Sequence, residues 1–308
     1  MQKQIVSSVF AACALAATCA AGDNSVCQYN LFVLGNSTAQ YSNVQGRVGV
    51  GGNAIYTGYD FGSQLTANSN RNDIVVGGNL TFSNGQVEKG SVVANGKVSF
   101  TNVTLVEGGI TATGSISLTN GQVNGSVNPH AINPMPFSFY QAAGFLQTAS
   151  SAYGALTANG TTANQWGGLS LTGTDPKLNI FTVTSTLLQS VWGVQIDVPS
   201  GSTVLINVSG VAATQPNAGY NYTGTDANHV LFNYFQASTL QLNAGQGTVL
   251  APFADITFPY GAVNGTVIGN SFTGNGQVNL AGFVDGLPAL PGGYNFCSDF
   301  PGSPSMPQ

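Results

Sequence analysis

Three segments between Val75 and Val123 repeat one pattern at a constant step, and no other feature limits the fold so tightly. Asn79-Leu80-Thr81-Phe82-Ser83-Asn84, Lys97-Val98-Ser99-Phe100-Thr101-Asn102 and Ser115-Ile116-Ser117-Leu118-Thr119-Asn120 align at intervals of 18 residues, an interval that Gly78, Gly96 and Gly114 share. Within each segment apolar residues alternate with Ser or Thr, the period of a strand with one buried face. A strand that recurs at a short fixed period between Gly and Asn specifies a solenoid. Leu80, Val98 and Ile116 then form one inward ladder, with Phe82, Phe100 and Leu118 as the second. Outward, Thr81, Ser99 and Ser117 form one hydroxyl ladder, and Ser83, Thr101 and Thr119 run parallel to it.

Elsewhere the period continues less cleanly. Val48-Gly49-Val50-Gly51-Gly52-Asn53 prefigures Val75-Val76-Gly77-Gly78-Asn79, with the polar stretch Gln64 to Asp73 lengthening one turn, and Val249-Leu250 precedes Val267-Ile268 by 18 residues. Behind Pro134 and Pro136, residues 137–156 space aromatic and small side chains at three and four, which predicts an amphipathic helix docked on the solenoid flank. Gly144 and Gly154 weaken that helix in isolation, so docking must stabilise it. The chain therefore reads as all-β: a right-handed parallel β-helix of about 18 residues per coil with one long α-helix alongside and capped end coils.

The start of the chain predicts an exported molecule. Met1 to Ala21 has a short positive start, an apolar run and small residues at its close, the pattern of a signal peptide. Its removal leaves residues 22–297 as a single domain and 298–308 as a disordered Pro/Gly/Ser tail, with Cys27 and Cys297 as the remaining thiols. Two cysteines in an exported chain suggest one disulfide, the alternative being two free thiols. Sequons at Asn36, Asn79, Asn102, Asn124, Asn159, Asn207, Asn221 and Asn264 are candidate glycan sites if the source is a eukaryote.

Charged residues make up only 6% of the chain, against roughly 25% in an average soluble protein. The net charge of -5 carries no runs of either sign, which argues against nucleic-acid or anionic-lipid partners. No membrane insertion is expected after signal cleavage, and the chain reads as a monomer. His130 and His229 have no ligand-spaced partners, so neither metal nor cofactor is implied. No Gly-x-Ser-x-Gly elbow is present, and the acids are scattered; Glu88 and Glu107 are closest to a pair, with Lys89 marking a solvated surface. Trp166 and Trp192 sit beside apolar strand residues and read as core, whereas Tyr220 and Tyr222, with Asn217 and Asn221, lie in a polar loop where tyrosines could stack on sugars.

Three blocks resemble a known family. They are Asn30-Leu31-Phe32-Val33-Leu34-Gly35 running into Val44 to Asn53; Asn179-Ile180-Phe181 with Gly201 to Gly210; and Gly247 to Pro252 followed by Gly265 to Gly269 and Gly274 to Asn279. Together they look like the choice-of-anchor A family of exported adhesive domains. That resemblance implies a secreted or surface β-helix and supplies no catalytic residues. Members often end in a sorting signal, which Ser298 to Gln308 lacks. The expectation is a non-catalytic, adhesin-like protein that meets an extracellular surface or glycan through Thr81, Ser83, Ser99, Thr101, Ser117 and Thr119. Ice binding is the alternative, and a polysaccharide-active enzyme a second.

Overall fold

The computed structural model describes residues 25–300. The expected signal peptide and residues 301–308 lie outside them, while Phe300, expected in a disordered tail, is buried. The described chain is a parallel β-helix with a long helix, α1 (Phe139–Gly154), along one side. Each full coil visits three faces.

The order of coils along the axis is not the order of the sequence. The first strand, Tyr29–Val33, pairs with Arg47–Val50 on one side and with Val267–Gly274, near the other end of the chain, on the other. Ser37–Val44 likewise pairs with both Ala54–Phe61 and Val267–Gly274. The chain thus starts in the middle of the solenoid and builds outward to Val127–Asn128. It then passes through α1 and resumes at the far end with the antiparallel hairpin of Thr161–Gln165 and Gly168–Thr172, winding back until it meets its own first coil. The seam pairs both edges of the first coil, so the solenoid's open edges fall on coils from the middle of the sequence.

Two apolar layers result. Inside the coils, Leu80, Val98, Phe82 and Phe100 are buried in the ladders expected of them, with Phe82 and Phe100 edge to face at 5.7 Å. Leu118 departs from expectation: its coil is the last, nothing stacks above it, and it is 38% exposed. The end coils are therefore capped unequally. At the opposite end a short helix, α2 (Ser185–Ser190), takes the place of a strand and packs on Ala212–Gln215.

The second layer lies between α1 and the outward side of one face, where Ala142, Leu146, Ala149 and Tyr153 meet Leu205, Leu231, Leu250 and Ile268. Ser138 caps α1 by accepting a hydrogen bond from the Gln141 N–H. Two buried asparagines fix the helix in register. Asn207 donates to the Tyr153 carbonyl at 2.7 Å, and Asn233 donates to the Ser150 carbonyl and to Asn207 while accepting from the Ser150 hydroxyl. The sequon at Asn207 is thereby a structural site, closed to glycan in the folded chain.

Disulfide Cys27–Cys297 is present, with Cα atoms 5.4 Å apart.

Candidate functional site

The strands that carry the Ser/Thr pattern turn a corner at one residue each. Tyr41, Gly58, Asn84, Asn102 and Asn120 all hold φ between 51° and 59°, the left-handed region. Asn tolerates that region better than most side chains. It also ties the corners together: Asn102 donates to Asn84 at 2.9 Å and Asn120 donates to Asn102 at 3.3 Å. At the Gly58 corner a Cβ would come within 2.8 Å of the Tyr41 ring, so glycine lets that ring lie flat against the chain. We expect Asn102→Val to cost about 1 to 2 kcal/mol through left-handed strain, and Asn102→Gly clearly less. Urea unfolding of both variants measures this.

Ahead of the corner, the outward residues form the face. The structure brings together all six residues expected there: Thr81, Ser99 and Ser117 in one column, and Ser83, Thr101 and Thr119 in the next. All are exposed except Ser83, which is half-buried and donates to the Thr57 hydroxyl at 3.1 Å.

The face does not stop at those three coils. Register extends the first column through Ile55, Thr38, Thr273, Thr257, Gln241 and Thr214. Nine rungs separated by eight steps of about 4.8 Å make a rank about 38 Å long. Seven of the nine carry hydroxyls, and the rank crosses the seam between Thr38 and Thr273 without a break in register. The second column adds Thr57 and Gln40. Ile55, 48% exposed, is the apolar interruption. Thr38, Thr57, Thr257 and Thr273 were missed because their coils differ in length from the repeat.

Charge is confined to the margin. Asp255, on the edge of the face, accepts hydrogen bonds from Ser271 and Asn270, which hold its carboxyl below the ordinary carboxylate range. Among the described residues no group of three His, Cys, Asp or Glu is placed to hold a metal, and no helix is long and apolar enough to cross a membrane. His229 meets Asp226 at 2.7 Å in a local turn contact, and Lys89 approaches Glu88 at 4.0 Å with both side chains half-buried rather than fully solvated.

The aromatic expectations divide. Tyr220 and Tyr222 are packed down onto the solenoid, and burial raises both phenols far above their ordinary range. Trp166 and Trp192 contradict the core reading, being 97% and 69% exposed. Trp166 occupies a hairpin tip, and Trp192 lies in the bend just before the strand Gly193–Asp197 with its ring exposed, so apolar sequence neighbours did not imply burial.

A family model described as "Putative Ice-binding-like adhesive domain" matches residues 23–280. The chain belongs to that family. The match to the ice-binding-like adhesive family takes in both halves of the solenoid, the seam and every rung of the hydroxyl rank. Curated proteins offer no match. Among solved structures, the chain is similar to an ice-binding protein from an Antarctic ascomycete, Antarctomyces psychrotrophicus. Identity is 15% and the TM-score 0.32, with 83% of this chain and 96% of that chain covered.

Proposed function

We propose that this protein is an extracellular, non-catalytic adhesive domain whose Ser/Thr face docks on flat polysaccharide surfaces. The observation that carries this reading is the in-register rank of hydroxyls from Thr214 to Ser117. Its steps of about 4.8 Å along the axis and about 6.7 Å between columns give a stiff array of donors and acceptors facing one way. Because backbone pairing fixes these groups, docking orders few side chains. Tyr41, 72% exposed beside the rank, adds a flat ring suited to a sugar's C–H face. The narrower kinship with choice-of-anchor A proteins, including secretion, is part of this proposal.

Binding to insoluble cellulose, chitin and β-glucan particles tests it. Ser99→Lys and Thr257→Lys each place a long charged chain on the face, one on each side of the seam. Each is expected to weaken particle binding about tenfold or more with an unchanged melting temperature. Full binding by both variants would refute the face as the contact.

Ice is the second reading, favoured by the length of the rank. An ice face works by the same regularity, but Ile55 and the serines at 99 and 117 break it. Thermal hysteresis and faceted crystals in concentrated protein would support ice, and unmodified crystal growth would end that reading.

A further inference from the structure

We propose that a cleft between Trp166 and Trp192 is a separate binding site for neutral pyranose units of a polysaccharide chain. It has a volume of about 470 Å³, within the range of small-ligand sites, and none of its lining residues is charged. It lies on the sheet formed by Thr161–Gln165, Gly168–Thr172, Gly193–Asp197 and Gly219–Thr223, apart from the hydroxyl face. The site therefore stands independently of the face reading.

The floor is built from glycine. Gly193 pairs with Gly219, and Gly168 occupies the same row. A Cβ on Gly219 would meet nothing within 4 Å, and one on Gly193 only the Gly219 carbonyl at 3.6 Å. At Gly193 and Gly219 the row is open space that a side chain would fill, whereas the Trp192 ring lies over Gly168. Beside it runs a polar row, Ser170, Gln195 and Asn221, in which Asn221 donates to Gln195 at 2.6 Å. Each amide has two N–H groups and an oxygen, so the row keeps capacity for a ligand.

The tryptophans are placed at a cost the fold does not recover. Trp166 and Gly167 form a two-residue hairpin turn, both with positive φ, where Asn-Gly would be the unstrained choice. A bulky aromatic in that conformation is a genuine outlier, and at 97% exposure it contributes no core packing. Trp192 is held by its indole N–H, which donates to the Trp166 carbonyl at 2.9 Å, and its ring lies against Gly167 and Gly168. Aromatic walls, a bare floor and a rank of amides match the two chemistries of a pyranose: an apolar C–H face and a hydroxyl rim. The uncharged lining selects neutral sugars over uronic or sialic acids.

These are the chain's two tryptophans, so tryptophan-selective emission reports on this cleft alone. Short soluble glucan, chitin and mannan oligosaccharides titrated into the full protein are expected to give a saturable blue shift with at least one series. Gly219→Val, a β-compatible residue in open space, is expected to weaken that response at least tenfold while melting like the parent. No saturable change with any series at millimolar sugar would overturn the site, as would an undiminished response in Gly219→Val. Ser99→Lys keeps the cleft intact and is expected to respond like the parent, which separates failure of this site from failure of the face.

Discussion

Replacing Cys27 and Cys297 together with serine is expected to lower stability by up to about 5 kcal/mol, the chain-entropy ceiling for so long a loop. The bond spans 270 residues in sequence and joins the turn that starts the first coil to the segment that follows the last. Those coils meet at the seam, where Leu31, Phe32 and Val33 pair with Val267, Ile268 and Gly269. The closing segment also carries Phe296 and Phe300 onto α1 and the first coil, with Phe300 at 5.4 Å from Phe32 and 5.9 Å from Phe145. Ser25 adds a hydrogen bond to the Cys297 carbonyl at 2.6 Å. Without the bond, every contact across the seam must be closed against the entropy of nearly the whole chain. Chemical unfolding of the double variant reads the energy, and hydrogen exchange reads the place, with the amides of residues 31–33 and 267–269 losing protection before those of Val98–Leu105. A loss below about 1 kcal/mol would mean that the seam's packing and strand pairing suffice alone. An opened seam would also expose two strand edges, so the variant is expected to aggregate more readily.

The part of the fold legible in the sequence was the part where neighbours in space are neighbours in the repeat. Leu80, Val98 and Ile116 stack at 18 residues because their connecting turns have equal length. The rest of the rank obeys the same register with unequal turns: Ile55 to Thr81 spans the Gln64 to Asp73 loop, and Thr257 to Thr273 takes a shorter coil. Across Thr38 and Thr273 no periodicity could help, because the partners lie at opposite ends of the chain. The six face residues were therefore readable, while the size of the face was not. Trp166 was misread for a different reason. Local apolar pattern predicts burial only when the residue lies within a strand, and here it sits at the turn between two.

Arg71→Gln is expected to cost about 3 to 5 kcal/mol at neutral pH, the usual penalty for stranding a buried charge. Asp73 is the irregular residue of its strand, lying at the register shift between Asn72 and Ile74, and its side chain is wholly shielded from solvent. Burial pushes its carboxyl above the ordinary range, and Arg71 opposes that shift through both hydrogen bonding and charge, with a smaller contribution from Arg47. Arg71 grips both carboxylate oxygens, at 2.6 and 3.1 Å, and its other contact to the Thr66 carbonyl closes the long loop over the ion pair. Removing the guanidinium raises the folded-state pKa of Asp73 further, while the unfolded value stays put. A raised carboxyl binds its proton more tightly when folded, so its stabilising contribution is full below the unfolded pKa and is lost as pH rises through the folded one. The deficit of Arg71→Gln is therefore expected to be small in acid, where Asp73 is protonated in both states, and to grow as the pH climbs toward neutral. Urea unfolding across that range tests the sign, and a deficit that does not change with pH would show that Arg71 acts through the loop contact rather than the charge. Asp73→Asn in the Arg71→Gln background removes the buried charge itself and is expected to recover most of the loss at neutral pH.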